Sequence, residues 1–364
     1  MSQVQSDQHG EVNTNMFAYK MPRLGSKGLS HEINQEDAPG WIASVKIDQF
    51  LSETIKFATA VDGSQASLKG FEYVVSGLMQ ADRDSTCIVV HLFEDAEEDL
   101  HPAWRRNCIE SHCDTMCISN LMPSRYRMRF VPKRLGSTVG RQLVDEISAC
   151  SADFVCMGIC GRKGSKSAHP LLASRIMEVL KHGACSCIVM NTAEERELPL
   201  HRPARFVVSA SLNIASTKGF LDALRLSKPG DEIHVVQAKS YLEHQESNSA
   251  CSLREKYDAL IAGLTRDASD GCKQLTKFGD RSASFWNVDQ LPGESVSQAV
   301  VRYCEEIDAD FIVVGANAGR MGQGEEPLDA VSMRICMETT RNFIVSVYTP
   351  DFRPGSRKLT RGGC

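Results

Sequence analysis

No stretch of this 364-residue chain approaches the roughly 18 consecutive apolar residues that a membrane span requires. The opening residues, MSQVQSDQHGEVNTN, are polar where a secretory leader would be apolar, so a cytoplasmic protein is expected. No basic stretch alternates with aromatics, and a net charge of -5 creates no field for a polyanion, which argues against nucleic acid as a partner. There is no CxxC pair. The densest group of candidate metal ligands, Cys108, His112, Cys113 and Cys117, has no second pair at zinc-finger spacing; it reads as a polar excursion between two elements, and no metal site is expected there. GxSxG is also missing, and His91 ends an apolar strand pattern, so Ser64, His91 and Asp62 do not make a hydrolase triad. His169 reads as a loop residue, and the terminal Arg361-Gly362-Gly363-Cys364 is not a CaaX box.

What remains is the composition of a soluble globular protein, with 42% hydrophobic and 24% charged residues and only 13 prolines. Single cores of this kind usually hold about 100 to 200 residues, so the length suggests two domains. The fourteen cysteines are scattered, and Cys87, Cys156 and Cys304 fall inside apolar patterns, as reduced buried thiols do.

The chain repeats itself. ADFVCMG from Ala152 recurs as ADFIVVG from Ala309, and the same register pairs Gly136 with Gly293, Val139 with Val296, Val144 with Val301, Pro170 with Pro327, Leu171 with Leu328 and Ala173 with Ala330. Upstream the register shifts but the order holds: a strand from Phe57 to Val61 leads to ASLKGF, and one from Phe206 to Ala210 leads to ASTKGF. In the first helix Leu68, Phe71, Val74, Val75 and Leu78 share a face. The following strands are Cys87 to Leu92, Arg127 to Val131, Phe154 to Met157 and Ile188 to Met190, with counterparts at Ile233 to Val236, Ser284 to Val288, Phe311 to Val314 and Phe343 to Val347. Alternating strands and helices imply right-handed crossovers and two doubly wound α/β units, each a parallel sheet with helices on both faces. The expected organisation is a polar tail over residues 1–48, a first domain over 49–194, a linker over 195–204, a second domain over 205–350 and a basic tail over 351–364.

In such sheets ligands bind beyond the carboxyl ends of the strands, where the strand order reverses. Three features fall there in the first repeat. Asp62 follows the first strand, where its carboxylate can serve a turn or accept hydrogen bonds from a ligand. Gly158-Ile159-Cys160-Gly161 follows the fourth strand and runs into Lys163 and Lys166; it reads either as a tight exit turn or as a phosphate loop backed by cations. Ser174 opens the last helix, where a hydroxyl can cap the helix or meet an anion.

Together, VDGSQAS from Val61, IVVH from Ile88, ADFVCMGICG from Ala152 and the LLAS-helix-ACSCIVM ending from Leu171 resemble the universal stress protein domain, over about Phe50 to Thr192 and more faintly over Arg205 to Thr349. The resemblance implies a Rossmann-like fold, pairing of the two units through their last strands, and an adenine-nucleotide site for ATP, ADP or AMP, with magnesium entering only alongside nucleotide. Carried over by position, Asp62 is the acidic residue, Leu92 lies at the second-strand reader, Gly158 and Gly161 form the GxxG, and Ala173-Ser174 stands for its closing Gly-Ser. Ala173 departs from that glycine, and eleven residues instead of nine precede it. The second repeat departs further, with Ser211, Ala318 and Ala330-Val331 at the corresponding places and Glu325 and Glu326 where phosphates would sit. It is read as a degenerate partner. The implied function is a nucleotide-responsive module of stress signalling with an unidentified protein partner; the alternatives are a ligand-free scaffold and a slow ATPase.

Overall fold

Strands form where short apolar, β-branched runs are buried on both faces, and helices where apolar residues recur at three and four residues. The computed structural model describes residues 54–79, 84–94, 100–161, 174–182, 185–191, 197–239, 253–262, 281–317 and 326–349. In the first repeat these are β1 (Lys56–Ala60), α1 (Gln65–Glu72), β2 (Thr86–Phe93), α2 (Arg106–Asn120), β3 (Tyr126–Pro132), α3 (Val139–Cys150), β4 (Phe154–Gly158), α4 (Ser174–His182) and β5 (Ser186–Met190). The second repeat supplies β6 (Arg205–Ser209), α5 (Ile214–Leu226), β7 (Glu232–Lys239), α6 (253–262), β8 (Ser282–Asp289), α7 (Val296–Glu306), β9 (Phe311–Asn317), α8 (Ala330–Glu338) and β10 (Asn342–Tyr348).

All ten strands belong to one sheet in the order β3-β2-β1-β4-β5-β10-β9-β6-β7-β8. Pairing is parallel within each half; at the seam β5 and β10 run antiparallel, with Phe343 opposite Val189, Ile344 opposite Ile188 and Val345 opposite Cys187. The core on one face is continuous across the seam: Ile176 and Val179 of α4, Val189 of β5, Phe343 and Val345 of β10 and Ile335 of α8 belong to a single buried cluster.

Two segments differ from the sequence reading. The stretch around Cys108 to Cys117 is no polar excursion but the helix α2, in which Ile109, Cys113 and Cys117 recur every fourth residue and are buried while the residues between them take the outer face. Burial pushes the Cys113 and Cys117 thiols up to about 12, which leaves them protonated apolar fillers. The first helix is α-helical only to Glu72, and Tyr73–Leu78 forms a wider π-helical turn in which Met79 N donates to Val74 O at 2.9 Å. That turn carries Tyr73 across the seam, where its ring stacks on Phe311 at 5.0 Å.

On the face that carries α1 and α5 a buried polar cluster also crosses the seam. Lys218 Nζ of α5 lies 2.5 Å from both carboxylate oxygens of Asp222 and 3.3 Å from Ser186 Oγ of β5, and Ser186 Oγ donates to Asp222 at 2.6 Å. Arg225 reaches Asp153 of the first half at 3.7 Å. Lys218, Asp222 and Arg225 are all buried. Residues 199–202, just before β6, are also tied down, with Arg202 forked onto Asp310 and Lys228 donating to the Pro199 and Leu200 carbonyls.

Candidate functional site

The strand order reverses between β1 and β4, and the carboxyl edge at such a reversal is where open α/β sheets take their ligands. β1 ends at Ala60 and the chain turns through Asp62 and Gly63, the glycine at φ +81°. A Cβ on Gly63 would lie 3.1 to 3.2 Å from Ile109, Ala103 O and Trp104, so the turn is held under the 3-10 turn Pro102–Trp104. Ser64 then caps α1 by accepting from Ser67 N at 3.4 Å.

The Asp62 carboxylate has two different oxygens. Oδ1 accepts from Ser64 N at 3.0 Å, Ser64 Oγ at 2.6 Å and Ser67 Oγ at 3.0 Å, which is turn chemistry. Oδ2 faces the Arg175 guanidinium at 3.6 Å. Gly161 closes this corner: a Cβ there would collide with Arg175 Nη1 and lie 2.8 Å from Asp62 Oδ2. Ser174 is the first residue of α4 and exposed, so its hydroxyl and the helix N-terminus sit one residue before Arg175.

Leu92 buries its side chain in the core, but its backbone has another aspect. Val61 N donates to Val90 O and Lys133 N donates to Phe93 O. Alternation along β2 therefore directs the Leu92 N–H and C=O toward the β1 side, two residues beyond the last β1 pairing, Ala60 with Val90. His91 points its Nδ1 at the Val61 carbonyl at 2.6 Å and packs between Phe93 and Phe130. It is committed to closing the end of β1.

Gly158 plays a different part. A Cβ there would lie 2.7 Å from Ala66 Cβ and 2.9 Å from Ser67 N, so its bare backbone lets α1 press onto β4. Gly315 does the same for α5, at 2.7 Å from Ser216 N. Lys163, Lys166 and Ala173 lie outside the described residues, as do His169, Ala318 and Glu325.

The corresponding edge of the second half is built otherwise. Ser211 N donates to Ser216 Oγ at 3.0 Å, as Asp62 N does to Ser67 Oγ at 3.2 Å, so the turn is the same without its carboxylate. Asp329 caps α8 by accepting from Ser332 N at 2.7 Å, placing a carboxylate on the positive end of that helix. Glu326 pairs with Lys181 of α4 at 2.8 Å. Among the described residues Lys256 of α6 brings a cation to this rim, donating to Leu212 O at 3.5 Å; burial pulls its amine down to about 8.

Arg175, Asp329 and Tyr257 escaped the sequence reading. Arg175 follows Ser174 directly, and a cation in the first turn of a helix, against the usual dipole preference, was the available signal. Among the described residues no group of three or more His, Cys, Asp or Glu is placed to hold a metal, and no helix is long and apolar enough to cross a membrane.

No protein-family model and no curated protein matches the sequence. Solved structures do. A universal stress protein from Archaeoglobus fulgidus aligns at 12% identity over 82% of this chain and 97% of its own, with a TM-score of 0.49. A universal stress protein structure from Pseudomonas aeruginosa aligns at 9% identity over 82% of this chain and 94% of its own, with a TM-score of 0.50. One solved in complex with cAMP aligns at 17% identity over 38% of this chain and 98% of its own, with a TM-score of 0.29. The chain has the α/β fold of universal stress proteins, with its repeat doubled in one polypeptide.

Proposed function

We propose that the first repeat, in a domain over residues 49–194, is an adenine-nucleotide binding module and that the second, over 205–350, is a structural partner without the site. The observation that carries this reading is the corner where Asp62, Gly161 and Arg175 meet at the β1–β4 switch point, which has no counterpart at Ser211 and Ser332. The donors and acceptors suit such a ligand. Asp62 Oδ2 can accept from a ribose or an amino group, the Leu92 backbone offers one donor and one acceptor beyond β1, and Arg175 with the N-terminus of α4 suits a phosphate. Gly161 leaves room for the Arg175 guanidinium beside Asp62. Lys163 and Lys166 would add positive charge, and magnesium would enter only with the nucleotide. ATP is the leading ligand, with ADP and AMP as variants, and the role is a cytoplasmic stress-signalling module whose protein partner responds to occupancy.

Titration calorimetry on the whole protein tests this. One equivalent of ATP is expected, with Asp62→Ala weakening it by about 10- to 100-fold, the loss of one charge-assisted contact. Two equal sites would overturn the asymmetry. No binding at millimolar ATP would leave a ligand-free scaffold, and phosphate release above background would make the first repeat a slow ATPase.

A further inference from the structure

We propose that Arg175 makes this edge select phosphorylated nucleosides over nucleosides; the inference rests on the nucleotide reading above. Asp62 Oδ1 is taken by three donors of its own turn, so a ligand hydroxyl or amino group must use Oδ2. That oxygen already faces Arg175 Nη1 at 3.6 Å. A nucleoside therefore competes with the guanidinium for that oxygen and offers it nothing in return. A nucleotide brings a replacement, because a phosphate offers the planar guanidinium two parallel hydrogen bonds that the present single contact does not.

The exchange is cheap for the protein. The pair is long, and its side chains are 39% and 26% exposed, a geometry that stabilises little. Gly161 is also needed for it, since any side chain there would displace the guanidinium. The other cation on α4 with a resolved partner, Lys181, is turned to Glu326 of the second half. In the second half Ser332 stands at the position of Arg175 and Ser211 at that of Asp62, so neither charge is available.

The test is the affinity of the full-length protein for adenosine, AMP and ATP, in wild type and in Arg175→Met and Arg175→Lys. Wild type should bind AMP and ATP more tightly than adenosine. Arg175→Met should weaken AMP and ATP by roughly 10- to 100-fold and leave adenosine unchanged or tighter, and Arg175→Lys should restore part of the preference. Retained adenosine binding also reports an intact fold. Equal weakening of all three would make Arg175 only a support for Asp62, and unchanged AMP and ATP binding would remove it from the site; either overturns the proposal. Wild-type binding with no preference for the phosphorylated ligands would sink this inference alone, whereas wild type binding none of them would sink the nucleotide reading and this inference with it.

Discussion

In the second half the Tyr257 hydroxyl lies 2.7 Å from Ser216 Oγ, taking the part that the Asp62 carboxylate plays for Ser67 Oγ at 3.0 Å in the first. With Ser211 in place of the acid, the side-chain contact to the buried Ser216 hydroxyl comes from α6, beside the bonds Ser216 makes with Ser209 O and Ser211 N. The Tyr257 ring packs edge-on against Phe220 and stacks on Phe285. Burial pushes its phenol up to about 12, so it remains a neutral group that cannot stand in for a carboxylate toward a ligand.

Tyr257→Phe should therefore cost about 0.5 to 1.5 kcal/mol in urea unfolding, the net worth of one buried hydrogen bond, and leave nucleotide stoichiometry untouched. Ser216 keeps its bond to Ser209 O, which favours the low end. A variant as stable as wild type would show that the hydroxyl contributes nothing. A change in stoichiometry would assign Tyr257 to a ligand site.

The seam sets a harder test. Asp222 is the counter-ion of Lys218, whose amine is pulled down from its ordinary value by burial. Removing the acid alone, in Asp222→Ala, strands a buried cation and should destabilise by about 3 to 5 kcal/mol. Replacing both, as Lys218→Met with Asp222→Leu, should cost far less, because the desolvation of both charges disappears as well. Denaturant unfolding of the two variants decides it. A double variant no more stable than the single one would mean that the pair and its bonds to Ser186 contribute more than their burial costs.

His234 gives a pH dependence. It is 14% exposed, stacks on Trp286 and shares a hydrogen bond with the Tyr303 hydroxyl at 2.8 Å. Burial lowers its pKa below the ordinary 6.5, against the pull of Glu232. Between the folded and unfolded values the unfolded chain binds more protons, so this contribution is fully present above 6.5 and is lost as pH drops from 6.5 through the lowered value. Urea unfolding from about pH 7.5 to about pH 5 should show a steeper loss for wild type than for His234→Gln. Parallel curves would mean that His234 titrates alike in both states.

Much of this architecture was legible because the repeat fixes it twice. Ala152–Gly158 and Ala309–Gly315 mark β4 and β9, and their flanking runs located the other strands to within one to three residues at most ends. The helix α2 was missed because its buried stripe uses Cys113 and Cys117, and cysteine in a polar setting reads as a ligand before it reads as a core residue. Asp62 and Gly161 stood out through order along the chain. Their meeting with Arg175 did not, since Asp62 and Arg175 are far apart in sequence and are brought together only by the pairing of β1 with β4 and the placement of α4. Tyr257 was invisible for the same reason: nothing near it in sequence says that α6 brings a hydroxyl to Ser216.

Gly158 and Gly161 look alike in sequence and should behave differently. A Cβ on Gly158 would meet Ala66 Cβ and Ser67 N, parts of a helix start that cannot swing aside, and a Cβ on Gly315 would meet the same point of α5 at Ser216 N. Gly158→Ala and Gly315→Ala should each destabilise by about 1 to 3 kcal/mol, by forcing the helix off the sheet, and Gly315→Ala should leave nucleotide binding unchanged. A Cβ on Gly161 meets instead two side chains, the flexible end of Arg175 and, at 2.8 Å, Asp62 Oδ2, and no backbone as close. Gly161→Ala should therefore cost little stability, yet weaken ATP binding by moving the guanidinium away from Asp62. Paired measurements of unfolding and of ATP affinity on the three variants separate the two roles. A stability loss in Gly161→Ala as large as in Gly315→Ala, with ATP binding intact, would reduce the whole GxxG turn to a packing device.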